Sequence, residues 1–280
     1  MKNIAVVCNP LPENGKSIEV ADSIARALKT KEIPFSIFTT YWPQVWDQFS
    51  EAWIIGGDGT LNYFINQHPN FQLPIAIFKG GSGNDFNWAL YGDVTLEQQI
   101  EKVLHASPQW VDAGTCNGRL FMNGIGIGFD GAIVKELLGR KKVAGKTSYF
   151  LTVLKNIFNY KEGDVTIQIN GQTFNEELFM VSIANGQRYG GGFKVAPKAS
   201  ITDGQLDINI ISKIAPVKRM FYLPVIEKGE HLDLPFIKEY KSDKVTIASN
   251  SILPAHADGE YFEASSFAIE CLPKQFSFLW

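Results

Sequence analysis

The residues best suited to chemistry lie in one short stretch, Gly56-Gly57-Asp58-Gly59-Thr60-Leu61-Asn62. Three glycines within four residues remove the Cβ atoms that would keep a bulky polyanion away from the backbone. The free amides and the positive end of a following helix then form an anion site. Asp58 adds a carboxylate to that site and would repel a bare phosphate, so a bridging divalent cation is the simplest resolution. The functional reading is a nucleoside triphosphate with Mg²⁺, and the bland alternative is an ordinary glycine β–α turn.

The elements around this stretch must present it. Ala52 to Ile55 is an apolar run leading in, and Leu61 to Ile65 leads out, which reads as buried strand, tight turn and helix start. Ile4 to Val7 predicts a buried strand, and Ile18, Ala21, Ile24, Ala25 and Leu28 a helix with Ser17 as its N-cap. Phe35 to Phe38 predicts a second strand, with Thr39 and Thr40 at the C-terminal end where nucleotides bind in open α/β sheets. Val45 and Phe49 suggest a further helix. Pro74 to Phe78 predicts another strand, running into Lys79-Gly80-Gly81-Ser82-Gly83-Asn84-Asp85-Phe86, a second strand–glycine loop–helix unit ending in an acidic residue. Leu96, Ile100, Val103 and Leu104 give the next helix. This alternation predicts a three-layer α/β domain with a parallel sheet.

The pattern changes near Asp112 to short alternating strands and turns with one helical insertion. Val165, Ile167 and Ile169 alternate up to Asn170-Gly171, a hairpin signal. Phe179 to Ala184, Leu206 to Ile210, Val245 to Ala248 and Phe267 to Ile269 are further strands. Val134 to Leu138 and Tyr149 to Phe158 read as helical. Phe193, Phe221, Tyr222 and Phe236 are expected in the core, some at an acyl-chain entrance. The fold class expected is α/β plus all-β: a nucleotide-binding domain over 1–113, joined by 272–280, and an antiparallel β-sandwich over 114–271.

Composition narrows the classes. The 280 residues are 45% apolar and carry a formal net charge of −3, with a pI near 5.9, so a global electrostatic footprint for nucleic acid is absent. Cys8, Cys116 and Cys271 have no metal-ligand spacing and suit a reducing compartment. No stretch reaches the length of a membrane span, and the apolar run at Ile4 to Val7 is too short for a signal peptide. His68, His105, His231 and His256 share no ligand spacing. The expectation is a cytoplasmic protein with no nucleic-acid partner and no membrane span.

Taken in order, Gly56 to Asn62, Gly81 to Phe86, Val111-Asp112-Ala113-Gly114, Gly126 to Asp130, Tyr189-Gly190-Gly191-Gly192 through Pro197, Asp203-Gly204-Gln205-Leu206-Asp207 and Asp258-Gly259-Glu260 resemble the bacterial diacylglycerol kinase and sphingosine kinase superfamily. The resemblance covers essentially the whole chain. It implies an active site between a nucleotide-binding domain and a β-sandwich domain. It implies ATP phosphates on Gly56, Gly57, Asp58, Gly59, Thr60, Leu61 and Asn62, with Ser82 and Asn84 nearby. Thr39, Thr40 and the loop from Asn9 to Glu13 would line the nucleotide. Serine at 82 keeps the hydroxyl of the family's usual threonine. Leu11-Pro12-Glu13 departs from the family's small residues and glycines after Asn-Pro.

The resemblance further implies that Asp58, Asp85 and Asp112 form an acidic network around a catalytic Mg²⁺. Taken alone, Asp85 reads equally as a helix N-cap and Asp112 as a solvated loop carboxylate. Asp258-Gly259-Glu260, otherwise a turn signal, would supply the base, with Glu260 as proton acceptor and Asp258 close by; the sequence does not separate them. An aspartate at 203 would hold a structural Mg²⁺ with the carbonyls of Ser200 and Gln205. Arg140-Lys141-Lys142 and Lys146 are equally a lipid-headgroup contact and a solvated loop.

The expectation is an ATP- and Mg²⁺-dependent kinase for a lipid alcohol such as diacylglycerol, a step of phospholipid metabolism, working in peripheral contact with a membrane. The acceptor and the assembly state, a homodimer included, stay open. The rivals are a kinase of the NAD kinase type for a soluble acceptor, and a non-catalytic protein that binds nucleotide and lipid.

Overall fold

A computed structural model describes residues 2–9, 15–138, 153 and 155–280. Leu11-Pro12-Glu13, Arg140-Lys141-Lys142 and Lys146 lie outside the described residues, as does part of the helix expected over 149–158. Residues 155–159 are helical. The chain forms two units, Met1–Val111 with Lys274–Trp280, and Asp112–Pro273. These borders differ by two residues from those expected at 113 and 272.

The first unit is built on a parallel sheet of β1 (Ile4–Cys8), β2 (Phe35–Phe38), β3 (Glu51–Gly56) and β4 (Ile75–Lys79), in the order β2-β1-β3-β4. The end of the chain adds one parallel pairing to β4, Phe278 opposite Ile75. β1 and β3 are buried along their whole length, as expected of strands covered by helices on both faces. The helices are α1 (Lys16–Thr30), α2 (Asp58–Gln67), α3 (Asp85–Tyr91) and α4 (Leu96–His105). α1 buries Ala21, Ile24 and Leu28 at helical spacing. α4 opens with a capping box in which Thr95 and Gln98 exchange hydrogen bonds, worth about 1 kcal/mol.

Residues 41–50 hold no helix, contrary to the expectation from Val45 and Phe49. Pro43 lacks a donor for a helical turn. Trp46 is anchored instead on Phe64 and Phe71, 4.8 Å from the Phe71 ring, and Phe49 packs against Trp46 and Phe38. Val45 is exposed.

The second unit is β-rich and antiparallel. It contains β7 (Gly124–Gly128), β8 (Gly163–Ile169), β9 (Gln172–Ala184), β10 (Leu206–Ser212), β11 (Ile237–Ser242) and β12 (Lys244–Ala257). β5 (Pro108–Cys116) and the long β13 (Glu260–Leu279) carry the chain between the units, and β6 (Arg119–Phe121) pairs with β5. β9 and β12 each pair with β8 over their N-terminal halves and with β7 over their C-terminal ends. This wraps a sandwich-like core of Ile125, Ile127, Ile167, Val181, Ile208, Ile247 and Phe267. Asn170 and Gly171, at φ 50° and 74°, make the two-residue turn between β8 and β9; both left-handed positions suit Asn-Gly.

Besides the helical residues 155–159, this unit holds α5 (Phe129–Leu137) and α6 (Pro216–Lys228). α6 is absent from the sequence expectation, because it is apolar on two faces and carries Pro224 inside. Phe221 sits on it, largely exposed, which corrects its assignment to the core. Tyr222 packs on Phe236 at 4.7 Å.

Candidate functional site

In the first unit, connectivity moves from β1 to β2 on one side and then to β3 on the other. Such a reversal opens a crevice at the C-terminal strand ends, where open α/β sheets bind ligands. Asn9 follows β1, Gly57 and Asp58 follow β3, and Gly80 to Asn84 follow β4. Thr39 and Thr40 follow β2 and are exposed.

The two glycine loops are pressed together. A Cβ on Gly57 would lie 2.5 Å from the Gly83 carbonyl oxygen, and one on Gly81 would lie 2.7 Å from the Gly57 Cα. Neither position has room for a side chain. The Asp58 amide donates to the Gly83 carbonyl at 3.0 Å, and the Gly80 amide to the Gly56 carbonyl at 3.0 Å. The Asp58 carboxylate then reaches over: Oδ2 accepts from the Asp85 amide and Oδ1 from the Phe86 amide, both at 3.0 Å. Asp58 therefore caps α3 while starting α2. Asp85 itself is buried. Asn9 donates from Nδ2 to Thr60 Oγ1 at 3.3 Å, and Ser17 Oγ donates to the Gly80 carbonyl at 2.8 Å, tying both loops to the end of β1 and the start of α1. Asn84 bonds the Gly81 carbonyl from its side chain. Leu61 and Asn62 are buried in α2, and Ser82 is exposed.

In the second unit, Asp258 and Gly259 form the tight turn between β12 and β13, at φ 49° and 85°. The buried Asp258 carboxylate is clasped by three backbone amides: Met122 at 2.7 Å, Asn123 at 2.9 Å and Gly124 at 3.0 Å. Glu260, next along, is exposed. Asp112 is buried, and its Oδ2 accepts from the Gly204 amide at 2.7 Å; it is not a solvated loop carboxylate. Asn185 donates to the carbonyls of Asp112 and Met122.

The turn has a third support. The Gly259 amide donates to His256 Nδ1 at 3.3 Å, so in the neutral ring the proton sits on Nε2. That atom faces Asp130 Oδ2 at 3.8 Å, and Tyr189 donates its hydroxyl to the same oxygen at 2.9 Å. A Cβ on Gly126 would lie 2.6 Å from His256 Nε2, so glycine there lets the cluster close. Asp130 and Tyr189 stood in motifs visible in the sequence, but nothing in the sequence joined them to His256.

Asp130 and Tyr189 are polar members of the lining of an apolar pocket within the second unit, whose roughly 640 Å³ is partly open to solvent. Phe129, Phe179, Phe193, Ile214 and Leu223 are among its walls. Arg219 also lines it, but its guanidinium is held by Glu162 and by the carbonyls of Ile214, Ile157 and Tyr160. Burial pushes the thiol of Cys8 up to about 11 and those of Cys116 and Cys271 up to about 12, so none is a thiolate nucleophile at neutral pH.

Among the described residues, no three His, Cys, Asp or Glu side chains come together to hold a metal ion. A catalytic Mg²⁺ would arrive on nucleotide phosphates and needs only one or two carboxylates; Asp58 and Asp85 stand together at the glycine loops, where the Asp85 amide donates to Asp58 Oδ2. The expected structural ion is a different case. Asp203 Oδ1 accepts from the Gln205 amide at 3.2 Å and Oδ2 is paired with Lys241 Nζ at 2.6 Å. Lys241 also lies 3.6 Å from Asp207. An ammonium therefore neutralises the Asp203 carboxylate in this structure. Ser200 Oγ lies 3.4 Å from Thr202 Oγ1.

Comparison with known proteins gives the family. Residues 3–116 match the diacylglycerol kinase catalytic domain, and residues 123–280 match the YegS C-terminal NAD kinase beta sandwich-like domain. A probable lipid kinase YegS-like of Shewanella frigidimarina is 28% identical over 83% of this chain and 77% of its own. A diacylglycerol kinase of Staphylococcus carnosus is 27% identical over 74% of this chain and 69% of its own. A solved structure titled a diacylglycerol kinase from Bacillus anthracis is 22% identical and superposes with a TM-score of 0.75 over all of this chain and 96% of that one. An NAD kinase from Archaeoglobus fulgidus, solved in complex with ATP, shares the fold at 17% identity and a TM-score of 0.56, over all of this chain and 94% of its own. The ordered motifs, the fold and both domain matches agree: this chain belongs to the diacylglycerol kinase-like family of kinases whose catalytic domain is joined to a YegS-type C-terminal domain.

Proposed function

We propose that this kinase uses ATP and Mg²⁺ to phosphorylate the hydroxyl of a lipid such as diacylglycerol, in the cytoplasm and at a membrane surface. The observation that carries the lipid acceptor is the largely apolar lining of this pocket, in which Asp130, Tyr189 and the ion-paired Arg219 are the polar side chains. A lining of this kind suits apolar chain better than a dinucleotide.

Phosphoryl transfer is mainly positioning and charge neutralisation. Gly56 to Asn62 and the neighbouring Ser82 and Asn84 would hold the phosphates, with Asn9, Thr39 and Thr40 toward the rest of the nucleotide. Asp58, Asp85 and Asp112 are the carboxylates offered to Mg²⁺, which when bound neutralises charge on the transferring phosphoryl group. Glu260 is the better placed base, since Asp258 spends its carboxylate on three amides while Glu260 is open to solvent. It would orient the acceptor hydroxyl and take its proton late, as the O–P bond forms in line and the bond to ADP breaks. Asp258 then sets the position of Glu260.

The test is ATP turnover with Mg²⁺ against diacylglycerol, phosphatidylglycerol and a sphingoid base in mixed micelles, with NAD as a control. A phosphorylated lipid, abolished by Glu260→Ala, is expected. Phosphorylated NAD would move the chain to a soluble-acceptor kinase, and tight ATP binding without product on any acceptor would favour the binding-protein reading.

A further inference from the structure

Helix α6 is apolar around most of its circumference but covered on only part of it. Arg219, Tyr222, Leu223 and Ile226 recur at i, i+3, i+4 and i+7 and line the cavity. Val217, Met220, Phe221 and Pro224 follow the same spacing on another face. There Val217 is 59%, Met220 40% and Phe221 67% exposed. An amphipathic surface helix would place polar residues on such a face. At 13 residues the helix is far too short to cross a bilayer, which takes about 20. Phe158, on the segment that Arg219 holds through the carbonyls of Ile157 and Tyr160, is half exposed as well.

Charge marks the kind of surface this face fits. Residues 213–228 contain Lys213, Lys218, Arg219 and Lys228 against one carboxylate, Glu227, in a chain of net charge −3. Lys213 and Arg219 are spent on Glu177 and Glu162. Lys218 and Lys228 are exposed and make no ion pair among the described residues. They lie at the two ends of the apolar stripe.

We propose that the outer face of α6 docks on an anionic lipid surface. Val217, Met220 and Phe221 enter the boundary between headgroups and acyl chains, and Lys218 and Lys228 meet anionic headgroups. This rests on the lipid-acceptor reading, because a lipid cannot cross water to reach the cavity and α6 is one of the cavity's walls. A helix with one face on the chamber and the other in the monolayer would give acyl chain an apolar route between them.

The test uses the full chain and sedimentation with vesicles, either phosphatidylcholine alone or with one-third phosphatidylglycerol. The triple variant Val217→Ser, Met220→Gln, Phe221→Ser should lose at least tenfold in partitioning to the mixed vesicles. Its melting temperature and its turnover of a short-chain, monomeric acceptor should be unchanged. Lys218→Glu with Lys228→Glu should lose more than tenfold on the mixed vesicles, given about fivefold for each lysine, and little on phosphatidylcholine. Vesicle binding that neither variant changes overturns the proposal. So does a wild-type dimer that the triple variant dissociates while vesicle binding persists, which would make the face a contact between copies. Vesicle binding that depends on α6 but yields no phosphorylated lipid keeps the docking surface and removes the kinase reading. Lipid phosphorylation in micelles together with vesicle binding indifferent to α6 does the reverse.

Discussion

Replacing Asp258 separates a residue that builds the turn from one that performs the chemistry. Its carboxylate accepts from the amides of Met122, Asn123 and Gly124 at 2.7–3.0 Å and is buried. A hydrogen bond to a charged acceptor contributes about 1.5–3 kcal/mol, and an orphaned buried amide costs a similar amount. Allowing for non-additivity, Asp258→Ala should lose roughly 4–6 kcal/mol, a large share of the ~5–15 kcal/mol typical of a domain. Part of that is backbone: φ is 49°, a left-handed position that Ala adopts at a cost of about 1 kcal/mol. Asp258→Gly should recover that part and no more. Asp258→Asn keeps one acceptor oxygen and tolerates the left-handed turn, so it should lose about 2–3 kcal/mol. The assay is urea unfolding of the full chain, followed by circular dichroism, beside thermal melts in which 1 kcal/mol moves the midpoint by roughly 2–4 °C. Glu260→Ala, at an exposed position, should leave the midpoint within about 1 °C while abolishing turnover. An Asp258→Ala protein that melts within about 2 °C of the wild type and yet is inactive would refute this reasoning. It would mean that the carboxylate acts on substrate.

Three further outcomes follow from the same geometry. Asp58→Ala removes the cap of α3 and should cost about 1–2 kcal/mol as well as nucleotide affinity by calorimetry, whereas Asp58→Asn should retain about half of the stability; equal losses would show that the two amide bonds are not what Asp58 supplies. Lys241→Met should lower the melting temperature in EDTA and regain part of it in millimolar Mg²⁺, with the wild type indifferent to both; a wild-type midpoint that climbs with Mg²⁺ would contradict the ion-pair reading. Burial lowers the His231 pKa, and its Nε2 bonds the Val195 carbonyl. The unfolded chain therefore binds a proton below about pH 6.5 that the folded chain resists. That stability is fully present above pH 6.5 and is lost as pH falls toward the lowered folded value. His68, also lowered by burial, adds a slope of the same sign. Urea midpoints at pH 7.5 and 5.5 should show the loss, and His231→Gln should flatten it.

The fold was legible in the sequence because its signals are local. Apolar runs of four to six residues ending in glycine mark β3 and β4, and Asn170-Gly171 marks the β8–β9 hairpin. The family was legible from the order of its motifs. What escaped is carried by contacts between distant residues. The clasp on Asp258 joins positions 134–136 apart, and the bonds from Asp58 reach 27 and 28 residues ahead. No periodicity encodes either. α6 escaped because its two apolar faces blur the helical period and Pro224 reads as a break. The stretch around Val45 misled in the opposite way, since Trp46 and Phe49 recur at helical spacing but serve as anchors, Trp46 on Phe64 and Phe71 and Phe49 on Phe38.

The pressed glycine loops make poor spare parts. Gly57 and Gly81 each fill the space the other would need for a side chain, and the helix after the second loop borrows its cap from the first. A graft of Gly56 to Asn62 alone into a foreign scaffold would arrive without its mate and leave an uncapped helix behind in the donor. The smallest portable piece runs from Gly56 to Phe86, strand β4 included. By the same logic neither glycine can drift alone, so sequence change in this region is expected to come as replacement of both loops together or not at all.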